Sequence, residues 1–130
     1  MQQEQKQSQG MGMPWEEDYG YAQAVKKGDT VWMAGQLGHD EKGVLLQGME
    51  AQMKQTYANI KKLLSRFNMT MDDVVEEVLY VLDMQTAFEA RRDNKAQFYS
   101  DPKSVASTIV VVKGLALPDQ LVEIKIVARQ

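Results

Sequence analysis

Cysteine is absent from this chain of 130 residues, and histidine occurs once. The first absence removes disulfides, thiol nucleophiles and thiolate metal ligands, and it fits a reducing, cytoplasmic setting. The second leaves no way to build a His-rich zinc site. No thiolate or His-rich metal site is expected. Long apolar runs are also missing: no stretch approaches the roughly 20 residues that a bilayer span needs, so no membrane partner is expected. Nor is there a block of positive charge. Lys26–Lys27, Lys61–Lys62 and Arg91–Arg92 are isolated pairs in a chain of formal net charge -3, which speaks against nucleic acid as the main partner. The opening "MQQEQKQSQGMGMPW" is polar and Gln-rich and lacks an apolar h-region. It reads as a flexible tail over residues 1–13 and not as a signal peptide, leaving 14–130 as a single domain.

Apolar residues make up 44% of the chain and charged residues 25%, enough for one domain with a real core. Residues 21–26 and 30–35 read as a hairpin around Lys27-Gly28-Asp29. A short third strand is expected near Val44–Leu46. From Met49 to Phe67 the period changes. Met49, Met53, Tyr57, Ile60, Leu64 and Phe67 recur every three to four residues, which predicts an amphipathic helix that stops at Asn68. "TMDD" follows as a turn. "VVEEVLYVLD" (74–83) predicts a central strand, residues 85–99 a second helix anchored by Phe88, Phe98 and Tyr99, and 106–113 and 120–128 two closing strands. The order β-β-β-α-β-α-β-β describes an α+β sheet with two helices packed on one face.

The last strand raises the functional question. In "LVEIKIVA", Val122, Ile124, Ile126 and Ala128 share one face, while Leu121, Glu123, Lys125 and Val127 share the other. The apolar face belongs to the helices, so Glu123 points away from them. Strand 106–113 is apolar on both faces. So is 74–83, with Val74, Val78, Tyr80 and Leu82 set against Val75, Leu79 and Val81. Two helices cover one face only. The other is expected to pack against further copies of the chain, with Glu123 in or beside the interface.

The segments "GYAQAVKKGDTVWMAGQLGHDEKG", "QTYANIKKLL", "MTMDDVVEEVLYVLDMQTAF" and "LALPDQLVEIKIVA" together resemble the RidA (YjgF/YER057c/UK114, "endoribonuclease L-PSP") family over about residues 19–128. The resemblance implies a chorismate-mutase-like fold and a homotrimer around a central β-barrel, with small-molecule clefts between subunits. It also implies cofactor-independent hydrolysis of reactive imines or enamines. Glu123 stands where the family's water-associated Glu stands. Tyr21, Gly35 and Gln36 match residues that line the cleft. At the start of the penultimate strand the family carries an Arg that holds the substrate carboxylate; here Ala106 takes its place, followed by Ser107. Arg92, on the second helix, is the candidate replacement cation, with a solvated helix residue as its alternative. Three readings follow: a divergent imine or enamine deaminase acting through Glu123; a non-catalytic trimer that binds a metabolite or a protein; and, ranked last, an endoribonuclease. His39, in the polar "GHDEKG" loop, reads as an exposed residue without a role.

Overall fold

Strand β6 (Val122–Arg129) organises the molecule. Val122, Ile124, Ile126 and Ala128 are all buried on its inner face, alternating with half-buried Glu123, Lys125 and Val127. In the computed structural model, which describes residues 5–130, β6 pairs antiparallel with β3 (Thr30–Met33) on one side and β4 (Val74–Val81) on the other. β2 (Ala24–Lys27) and β1 (Gln7–Gln9) extend the sheet beyond β3, and β5 (Ala106–Val111) closes the far edge. The order is β1-β2-β3-β6-β4-β5. Only β4 and β5 run parallel, and a parallel pair needs a crossover. Helix α3 (Met84–Asp93) and the single turn α4 (Lys95–Phe98) supply it. The result is an α+β domain with a mixed sheet of six strands.

Helix α2 (Met49–Ser65) covers the inner face of that sheet. Met53, Tyr57, Ile60 and Leu64 lie along one stripe and are all buried, together with Met49 and Phe67 at either end. Each such aliphatic or aromatic side chain contributes about 1.5–3 kcal/mol on burial. Asn68 ends the helical segment with φ 58°, a left-handed conformation that Asn tolerates better than most residues. Helix α3 begins at Asp83, whose carboxylate accepts from Thr86 N at 3.0 Å and Thr86 Oγ1 at 2.8 Å, satisfying an amide that the first turn leaves unpaired.

Several expectations require correction. The segment read as a flexible tail carries β1, whose Gln7–Gln9 pair with Ala24–Lys26, and a short helix α1 (Pro14–Tyr19) follows it; residues 1–4 lie outside the described part. Backbone pairing to an edge strand needs no apolar side chains, so the Gln-rich composition concealed it. Residues 44–46 form no strand; a lone bridge joins His39 to Leu45. The Asp40 carboxylate accepts from Lys42 N and Val44 N and folds the loop on itself. The second helix breaks at Asn94, whose side chain donates to Ala90 O at 2.8 Å. Phe98 and Tyr99 are core residues, but Phe88 is 53% exposed and the small Ala87 and Ala90 are buried in its stead. In β4 the register shifts between Val74 and Glu76. This bulge places Val74 on the buried face with Leu79 and Val81, while Glu77 reaches that face by plain alternation with them.

Candidate functional site

The start of β6 and the segments flanking β3 and β6 line an open cavity of about 420 Å³, walled by Trp15, Tyr19, Tyr21, Leu37 and Leu117, with Ala34, Gly35, Ala116 and Glu123 completing it. That volume lies within the usual range for small-molecule sites. Glu123 Oε1 accepts from Gln120 Nε2 at 3.2 Å. Gln120 is itself buried and also receives Leu117 N at 3.2 Å, so one amide fixes both the carboxylate and the loop facing it. Gln52 on α2 ties down the same loop by donating to Asp119 O (2.8 Å) and accepting from Leu121 N (2.8 Å). Gly35 is a steric requirement. A Cβ there would fall onto the Glu123 carboxylate and its Cγ. Backbone bonds between Gln36 and Ile124, at 2.8 and 2.9 Å, hold Gly35 beside the acid.

Tyr21 enters the cavity wall from the segment before β2. Its hydroxyl accepts from Gln23 Nε2 at 3.1 Å, which also donates to Glu16 Oε2 at 3.2 Å. Burial raises the Tyr21 phenol pKa, the Gln23 bond opposes this, and the negative charges of Glu16 and Glu123 raise it further. Tyr21 therefore stays protonated at neutral pH, with its own O–H free to donate. Trp15 Nε1 is buried and near enough to lower that pKa slightly, yet no acceptor meets it in hydrogen-bond geometry.

The structure brings Glu123, Tyr21 and Gly35 together and leaves the other anticipated residues elsewhere. Gln36 is fully buried behind the wall, where its Nε2 donates to Gln23 Oε1 (2.8 Å) and Ala34 O (3.1 Å). Ala106 is exposed on β5 opposite Glu76, whereas Glu123 sits opposite Tyr80, which pairs with Val110. Two strand spacings and four residue rises separate position 106 from Glu123 by roughly 16 Å. Ser107 points to the inner face and donates to Glu77 Oε2 at 2.6 Å. Arg92 is exposed on α3 and pairs with Asp93 at 2.9 Å. His39 is not exposed: it is buried under Trp15 in an edge-on contact (5.3 Å), with Nδ1 2.7 Å from Asp40 O. It does not line the cavity.

A second polar cluster escaped sequence reading. The fully buried Glu77 carboxylate accepts from Tyr57 Oη (2.7 Å), Tyr99 Oη (2.7 Å), Arg91 Nε (2.9 Å) and Ser107 Oγ (2.6 Å). Burial, followed by the Glu77 charge, raises the pKa of both tyrosines. The Arg91 guanidinium also lies 5.4 Å from the Tyr99 ring centroid. The cluster joins α2, α3, β4 and β5 and stands apart from the cavity walls. Its one sequence signal was an acid two residues before Leu79, in step with Leu79 and Val81 on the buried face of β4.

Fold and site define a class: α+β domains in which helices cover one face of the sheet and a strand carboxylate closes an apolar cleft. The chain belongs to the endoribonuclease L-PSP (RidA, YjgF/YER057c/UK114) family, whose profile matches residues 16–130. It is similar to the RutC family protein YjgH of Escherichia coli K12, at 29% identity over 86% of this chain and 84% of that one. Similarity extends to the 2-iminobutanoate/2-iminopropanoate deaminase of Dermatophagoides farinae, at 27% identity over 72% and 73% of the two chains. Among solved structures it resembles Rv2704 of Mycobacterium tuberculosis, a member of the YjgF/YER057c/UK114 family. That match has a TM-score of 0.85 and 26% identity, and it covers 97% of this chain and 100% of the other.

Proposed function

We propose that this protein is a cofactor-independent imine or enamine hydrolase whose general base is Glu123. The observation that carries the reading is a held carboxylate in an otherwise apolar cavity, with Gln120 on Oε1 and the protonated Tyr21 hydroxyl on the same wall. A water between carboxylate and substrate gives up its proton to Glu123 as its oxygen bonds to the carbon of a protonated imine. The C=N electron pair moves to nitrogen. The proton then passes to that nitrogen, the C–N bond breaks, and the hydroxyl proton leaves through Glu123. The products are a carbonyl compound and ammonium. Tyr21 donates to the nitrogen or to the carbinol oxygen along this path. The deaminase name carried by one relative supports the same chemistry.

The assembly proposed with it is a homotrimer closed by the outer sheet face, with the small-molecule cleft at the subunit boundary. Trp32 and Val110 are exposed on that face, which fits a surface meant to be covered. The roughly 16 Å between position 106 and Glu123, reckoned from strand geometry, supports the same arrangement. If the family's Arg and Glu serve one site, they come from different subunits. Light scattering that finds only monomer removes this part of the proposal. A cytoplasmic location accords with the lack of cysteine and remains part of the proposal.

The test is imine hydrolysis. An oxidase generates imines in situ, and semicarbazide trapping reports how much escapes. The parent protein is expected to suppress trapping. Glu123→Gln is expected to lose about 10²–10⁴-fold, the usual contribution of a positioned base. An inactive parent, or a Glu123→Gln variant as active as the parent, defeats the enzyme reading. Ala106 favours a second one, a trimer that binds a metabolite without turning it over. An inactive parent whose Ala106→Arg variant gains activity supports that alternative.

A further inference from the structure

We infer that the cavity takes a nitrogen cation, a protonated imine or amine carried on an apolar body, and that it discriminates against carboxylates. The inference rests on the proposed function and names the substrate class of the same site. Among the described residues of this chain, Glu123 is the only charged side chain on the cavity wall. The remaining surface is aromatic or aliphatic. The Tyr19 and Tyr21 rings meet edge-on at 5.7 Å, and Trp15 joins them on the aromatic side of the cavity; an aromatic ring that turns a face to a bound cation attracts it. Leu37 and Leu117 offer the apolar body its contact. A cationic head then meets a carboxylate already oriented by Gln120, the arrangement that favours charge-assisted bonding.

The same surroundings oppose an anion. The cavity already holds one latent anion, the Tyr21 phenol, and its ionisation is disfavoured by burial and by the charges of Glu16 and Glu123. A carboxylate bound there enters the same field. The arginines that might offset it are engaged elsewhere. Arg66 donates to Gly10 O, and Arg91 pairs with Glu77 at 2.9 Å, Arg92 with Asp93 at 2.9 Å and Arg129 with Asp29 at 3.1 Å. Lys125 shares the outer face of β6 with Glu123 but does not line the cavity. Position 106 supplies a methyl group.

Three probes of equal size and different charge test this: benzylammonium, benzyl alcohol and benzoate, titrated calorimetrically into the full-length protein. Benzylammonium is expected to bind at least about tenfold more tightly than benzoate, with the alcohol between them. Glu123→Gln, with its fold checked by circular dichroism, is expected to bring the three within about threefold of one another. Benzoate binding as tightly as benzylammonium overturns the inference, as does benzylammonium showing no saturable binding at about 10 mM. Hydrolysis separates this inference from the one beneath it. Selective binding without turnover of any imine leaves this inference standing and removes the enzyme reading. If 2-imino acids from an amino-acid oxidase are hydrolysed faster than the carboxylate-free imine from benzylamine and an amine oxidase, the enzyme reading stands and this inference falls.

Discussion

Replacing Glu77 with alanine should destabilise this protein more than most single substitutions do. The carboxylate is fully buried and accepts from Tyr57, Tyr99, Arg91 and Ser107. Its removal orphans the two buried tyrosine hydroxyls and leaves the Arg91 guanidinium, only 16% exposed, without its counter-charge. Breaking one side of a buried ion pair costs about 3–5 kcal/mol. For a chain of 130 residues, an unfolding entropy of roughly 2 cal/mol/K per residue turns about 4 kcal/mol into a fall in Tm of about 15 °C. Urea titration and thermal circular dichroism at pH 7 read both quantities. Arg91→Ala should be costly for the converse reason. The double variant should be less destabilised than the sum of the singles, by about 1–3 kcal/mol, because neither charge is then stranded. Loss of under about 1 kcal/mol in Glu77→Ala, or strict additivity in the cycle, would refute the account of this cluster as a coupled buried network.

Two glycine substitutions should separate site from scaffold. A Cβ on Gly38 meets the backbone of Gln52 in α2, with Cα at 2.6 Å; Gly38→Ala should cost about 1–3 kcal/mol or more, since a helix backbone cannot step aside. A Cβ on Gly35 meets the Glu123 side chain, which can swing away, so Gly35→Ala should retain more stability and lose more imine hydrolysis; equal effects on both properties would contradict this division. Alkaline pH offers a third test. The Tyr57 and Tyr99 pKa values are raised in the fold, whereas phenols of the unfolded chain titrate near about 10. Above that pH the unfolded state binds fewer protons, so stability falls as pH rises. Tyr57→Phe should flatten that fall by up to about 1.4 kcal/mol per pH unit in denaturation series above about pH 10, and an unchanged slope would count against a buried neutral phenol.

How much could be read in advance varied with the range of the interaction. The alternation in "LVEIKIVA" placed Val122, Ile124, Ile126 and Ala128 inward and Glu123 outward, and the stripe from Met49 to Phe67 located α2. Such periodicities are local, set by 2.0 and 3.6 residues per repeat, and burial of one face enforces them. The order of motifs along the chain sufficed for the family. Composition gave no sign that Gln7–Gln9 would add a strand, because edge pairing is made by backbone amides that every residue carries. The bulge that turned Val74 inward depends on how β4 seats against β6. The cavity wall joins Trp15, Tyr21, Leu117 and Glu123, residues from both ends of the chain. Chain order alone therefore supplied the acid and the missing arginine at position 106. Only the three-dimensional packing decided that Glu123 faces aromatic and aliphatic walls, with no cation among the described residues that line them, because the field at a site is the sum over groups that sequence distance does not rank.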